Sequence, residues 1–190
     1  MDLQQFLLDA HADLRSRVFG SVVNHVPTQR WHDQADNGGS SLTWLLLHMA
    51  RHHDLALTTV IRNKAPLFGA HRQALGLAAA GTAAGLSEQE DVATSSLVAA
   101  DPLLDYVNDV FAASGRWLER LSAMVLASVP DTANRLTRKA ELDPQDLGWL
   151  YANWNGHPVG WFVQWPILGH GQSHVGEMIS VRNRLGLSPF

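Results

Sequence analysis

The chain has 190 residues, 46% of them hydrophobic and 17% charged, with a formal charge of −4 and no cysteine. That length suggests a single domain, residues 1–190, able to bury a core, and the composition excludes a disordered polymer. The negative charge and scattered basic residues argue against nucleic-acid binding, and the missing thiols exclude disulfides, thiolate metal ligands and a cysteine nucleophile.

Residues 3–26 read as the first helix. Leu3, Phe6, Leu7, Leu14, Val18, Val22 and Val26 recur at spacings of three and four, and Pro27 ends the run. Residues 28–41 form a polar connection containing Asp36 and Asn37, with Ser40 or Ser41 as the next N-cap. The second helix spans residues 42–62, with Leu42, Leu45, Leu46, Met49, His53, Ala56 and Val60 on its buried side. Residues 67–100 are rich in glycine and alanine and end in an acidic run around residues 87–91. They read as a long connection with one short helix, of a length usually associated with function or with a crossover.

Asp101 and Pro102 open a third helix, as N-cap and first-turn proline, whose face carries residues such as Val107, Phe111, Leu118 and Val125 out to about residue 128. Residues 129–158 are irregular apart from a short helix at 145–153. The last helix covers residues 159–185, kinked at Pro166 and stopped by Gly186. Alternating strand patterns are absent. Four long helices predict an all-α fold, a four-helix bundle with one long crossover, an architecture that often builds metal sites from facing helices. No apolar run reaches the ~20 residues that span a bilayer, so no membrane partner is expected. The N-terminus lacks the basic start and apolar run of a signal peptide, so a cytoplasmic location is expected.

Ten histidines stand out. His170 and His174 lie four residues apart, which stacks two imidazoles on one helical face. That spacing lets one helix give two nitrogen ligands to a metal. His48, at the edge of the apolar face of the second helix, is the best third ligand, because a buried imidazole needs a partner. His52, one turn on, is a fourth ligand, a supporting partner or a proton carrier. Glu177, one turn past His174, is an acid–base group, a hydrogen-bond partner or simply a solvated glutamate. The pair is not the zincin motif, in which a glutamate follows the first histidine; here Gly171 does. His11, His25, His32, His71 and His157 follow no pattern.

The run Ser-Leu-Thr-Trp-Leu-Leu-Leu-His48, followed near the C-terminus by His170-Gly-Gln-Ser-His174-Val-Gly-Glu177, resembles the DinB/YfiT-like superfamily over nearly the whole chain. That family includes thiol-dependent transferases and the metal-binding domain of mycothiol-dependent maleylpyruvate isomerase. The resemblance implies an up-down-down-up bundle, a zinc, nickel or similar ion on His48, His170 and His174, and homodimers formed through helix faces. Relatives often carry glutamine where this chain has Glu177. The tryptophans at 149, 154, 161 and 165 look particular to this subgroup.

A three-histidine site with an open position can lower the pKa of a bound water or bind a low-molecular-weight thiol as thiolate. With no cysteine in the chain, the thiol must be a cosubstrate, and the resemblance favours a metal-dependent transferase or isomerase acting on a small molecule. Trp44, Trp154 and Trp161 are candidates to line an aromatic pocket over the metal. Two alternatives stay open: metal-dependent hydrolysis, and a non-catalytic stress or interaction protein whose metal only staples helices together.

Overall fold

The computed structural model describes residues 2–35, 38–87 and 91–190, and among them it is all-α, with no strand. Asp36, Asn37 and residues 88–90 of the acidic run lie outside the described residues.

Helix α1, Leu3–Ser16, is capped by Asp2, whose carboxylate accepts from the Gln5 backbone N–H at 2.8 Å. It continues through a π-helical stretch, Arg17–Val22, and a 3-10 turn, Val23–His25. The buried stripe is Leu7, His11, Leu14, Val18 and Val22. Leu3 and Phe6, expected on that stripe, are 50% and 56% exposed. The inward face is rotated from the one that the first apolar residues suggest, and it includes a histidine.

Helix α2, Leu42–Asp54, begins at Ser41, whose hydroxyl accepts from Trp44 N, and runs on as a π-helical stretch, Leu55–Ile61. All thirteen residues of α2 are buried, including Arg51, His52, His53 and Asp54. The helix is hemmed in on every side, mainly by α5 (Ala100–Leu118) and α9 (His170–Arg184). A polar residue on such a helix must find its partners inside the protein.

The long connection folds back onto α2. Asp54 accepts from Leu67 N and Phe68 N at 3.1 and 2.9 Å and from the Tyr106 hydroxyl at 3.0 Å, which starts the short α3, Phe68–His71. Arg51 donates to Ala84 O at 2.9 Å and Thr82 O at 2.6 Å, and its guanidinium lies 3.7 Å from the Phe68 ring centroid. A second short helix, α4 (Asp91–Ser95), also packs on α2.

Helix α5 ends at Leu118, ten residues short of the sequence expectation, and the Gln4 side chain donates to the freed Leu118 carbonyl at 2.9 Å. The expected continuation is a 3-10 turn, Ala123–Ala127, with Met124 86% exposed and Val125 also exposed rather than buried. The stretch read as irregular contains α6, Thr132–Lys139, besides α7, Gly148–Trp154. Helix α6 has one buried apolar side chain, Leu136, too little for a periodic signal.

After Pro158, α8 (Val159–Phe162) runs through a π-helical stretch, Val163–Gly169, directly into α9. Pro166 lies inside that stretch, so the expected kink takes the form of widened turns. Among the described residues, no helix is long and apolar enough to cross a membrane.

Candidate metal centre

Helix α2 contributes His48 and His52, one turn apart, with ring centroids 4.6 Å from each other. Helix α9 contributes His170 at its first position and His174 one turn on, 4.3 Å apart and nearly perpendicular. Two glycines flank His170, one against α1 and one against the preceding π-helical stretch. A Cβ at Gly171 would lie 2.7 Å from Leu14 Cδ2, and one at Gly169 would lie 2.9 Å from Trp165 Cε3. The backbone therefore comes closer to its neighbours here than any side chain permits.

One ring nitrogen from each of His48, His52 and His170 falls within a sphere of contact in which all three lie within 4.8 Å of one another. His174 joins the cluster from the side: its Nε2 is 3.0 Å from His170 Nε2, and its ring centroid is 5.0 Å from that of His48. Two partners settle tautomers. His48 Nδ1 donates to Gly85 O at 3.0 Å and His174 Nδ1 donates to the Glu177 carboxylate at 2.8 Å, because each of these oxygens can only accept. Each of the two rings then has Nε2 left for the cluster. His170 Nδ1 is buried with no partner, and His52 Nε2 lies 3.5 Å from Leu86 O, at the outer limit of a hydrogen bond.

Burial, and then the neighbouring imidazole of His174, holds His48 down at about 4, against the opposing pull of the Gly85 carbonyl. Burial followed by His174 and His48 lowers His170 to about 3, and burial followed by His170 and His48 holds His52 well below the usual value. These rings are neutral at physiological pH, the state in which imidazole ligates a metal. Imidazole nitrogens gathered at this distance, with a buried His170 Nδ1 left without a partner, suit a cation at the centre. Two nitrogens on one tetrahedral zinc ion stand about 3.3 Å apart, given ~2.0–2.1 Å bonds, close to the His170–His174 separation. The donor set fits a divalent transition metal.

The cluster opens on a cavity of about 560 Å³ lined by His48, His52 and His170. Its other walls include Trp149, Trp154, Trp161 and Trp165, with Ser87 and Asn153 as polar members. The His52 ring lies 6.0 Å from Trp149 and 5.7 Å from Trp154. Of the three tryptophans expected at the pocket, Trp154 and Trp161 are there. Trp44 is buried beside it, stacked on His48 at 5.3 Å, and supports the ring instead of lining the cavity. Glu177 is mostly exposed and reaches the cluster only through His174.

Sequence reasoning missed two features. Gly85 and Leu86, in the connection, place their carbonyls beside His48 and His52, so that segment covers the site. Gly85 has φ +81°, and a Cβ there would lie 2.9 Å from Arg51 Cγ; in the sequence it is one glycine among several in the connection. His11 carried no pattern and yet is buried, sharing the Ser114 hydroxyl with His53 at 2.6 and 3.0 Å. Burial, then His11 and His170, lowers His53 to about 3, and burial, then Arg15, lowers His11 to about 4.

No protein-family model matches the chain. No curated protein matches it in sequence either. Among solved structures the chain is similar to one described as a conserved protein from Enterococcus faecalis, with a TM-score of 0.66 and 18% identity over 98% of this chain and 99% of that one. At that identity the likeness speaks for the fold.

Proposed function

We propose that this chain is a metal-dependent enzyme with the four-helix architecture of DinB/YfiT-like proteins, activating a low-molecular-weight thiol for transfer to, or isomerisation of, a small molecule. The observation that carries the reading is a cluster of neutral imidazoles opening directly onto an aromatic-walled cavity. A structural metal has no need of an open side; catalytic sites keep one.

His48, His170 and His174 would hold the ion. Gly85 and Glu177 keep the Nδ1–H tautomers of His48 and His174 and so keep Nε2 available, the usual role of such partners around a metal. A bound divalent ion supplies Lewis acidity, which polarises a coordinated sulfur or oxygen and lowers its pKa. His52 is the member of the cluster nearest Trp149 and Trp154, beside whatever enters. The tryptophans exclude bulk water and orient the incoming molecule against the cluster.

Metal content by mass spectrometry, on protein purified without a histidine tag, tests the reading. About one equivalent is expected, and His48→Ala and His170→Ala should abolish it. His174→Ala and His52→Ala identify the third nitrogen: the variant that loses the metal marks the ligand. Absence of metal from the parent after reconstitution with Zn²⁺, Ni²⁺ and Co²⁺ would sink the proposal. A loaded protein that turns over esters with no thiol present would redirect it to hydrolysis.

A further inference from the structure

The cavity carries a second message, in what its walls contain. Four indoles line it, and none of its described lining residues is Asp, Glu, Lys or Arg. Trp149 and Trp165 are 43% and 46% exposed, so burial in the core does not explain them. Large aromatic rings left in water beside a cavity mark a surface waiting for an apolar partner. Trp161 is held in place by stacking on His157, with centroids 4.1 Å apart and planes 11° apart. Trp154 is buried and braced edge-on by Phe162 at 5.5 Å. These two walls are set before any ligand arrives, so little ordering cost remains to be met on binding.

Resting on the metal reading above, we propose that the ligand of this cavity is an uncharged aromatic small molecule that carries one soft donor atom to the histidine centre. Three chemistries compete for aromatic walls. A ligand bearing carboxylates, such as a peptide thiol, would find no basic partner for them among the described lining residues. A quaternary ammonium would suit indole faces, but a divalent ion on neutral imidazoles repels it. A flat neutral ring stacks on the indoles and meets neither difficulty. The volume, about 560 Å³, suits one such molecule, and Ser87 and Asn153 offer hydrogen bonds to a single polar substituent.

The test uses the full chain loaded with Co²⁺, whose visible spectrum reports the ion and any sulfur bound to it, the thiol proton passing to the buffer. Benzyl mercaptan is titrated against 2-mercaptoethanol and glutathione. Benzyl mercaptan should bind about tenfold more tightly than either, and Trp149→Ala with Trp165→Ala should remove most of that preference while leaving the Co²⁺ spectrum unchanged. Equal or tighter binding of glutathione overturns the ligand class and leaves the metal reading intact. Failure of Co²⁺ to bind sinks the metal reading instead. The walls are then judged on the metal-free protein by tryptophan emission. A saturable shift with benzyl mercaptan that the two Trp→Ala changes abolish upholds an aromatic ligand. No shift, or tighter binding of benzyltrimethylammonium, overturns it.

Discussion

A single carbonyl decides how His48 presents itself. Gly85 offers its oxygen to His48 Nδ1 from a left-handed backbone conformation, packed so closely on Arg51 and Leu47 that a Cβ would approach them to 2.9 and 3.0 Å. Gly85→Ala should strain the turn and withdraw the oxygen. Metal affinity is expected to fall about 10–100-fold, the usual cost of losing a partner behind a ligating histidine. Competition with a chromophoric chelator measures this, and an unchanged dissociation constant would show that the carbonyl is incidental. The histidine spacing was legible in the sequence, since it follows from the helical repeat. The carbonyl behind His48 was not, because residues 37 positions apart meet only when the chain folds back.

Between elements, the controlling contact is the crossing of α1 and α9. Gly171 sits against Leu14, a fully buried residue, and lies between the histidines that α9 carries. Gly171→Ala gains about 1 kcal/mol of helix propensity. It also forces a methyl to within 2.7 Å of Leu14 Cδ2, and overpacking of this kind costs about 1–3 kcal/mol. Net destabilisation is expected in urea unfolding. The double change Gly171→Ala with Leu14→Ala should cost less than the sum of the two single changes, because the new methyl fills part of the space that Leu14 leaves. Strict additivity would mean that the helices simply move apart. The π-helical stretch Val163–Gly169 belongs to the same scale. A proline in the sequence announces disruption of a helix, but whether the chain kinks or widens depends on what the helix packs against.

Across the whole molecule, burial of neutral histidines links stability to pH. His48 and His11 are held at about 4 and His53 and His170 at about 3, while in the unfolded chain each returns to 6.5. Above pH 6.5 both states are neutral and the effect is absent. As pH falls below 6.5 the unfolded chain takes up protons that the native state refuses, so stability declines by about 1.4 kcal/mol per pH unit for each such histidine and levels off below pH 3. Equilibrium unfolding of the metal-free protein at pH 8, 6.5 and 5 measures it: the first two should differ little and the third should be clearly lower. A flat profile down to pH 5 would show that these rings take up protons in the native state.

The sequence by itself determined what local repetition can carry: an all-α chain, the courses of its long helices, and a histidine pair one turn apart on the last of them. Those properties depend on residues within a turn or two of each other, where the helical period sets geometry. Tertiary structure decided everything that depends on distant residues meeting. It turned the inner face of α1 away from Leu3 and Phe6, ended α5 at Leu118, and folded residues 67–87 over α2. It also drew His52 into the cluster and set four tryptophans around one cavity. The apolar face read from the sequence of α2 does not show that its other residues are buried too, so only its neighbours could reveal which of its histidines share a site and which, like His53, pair elsewhere.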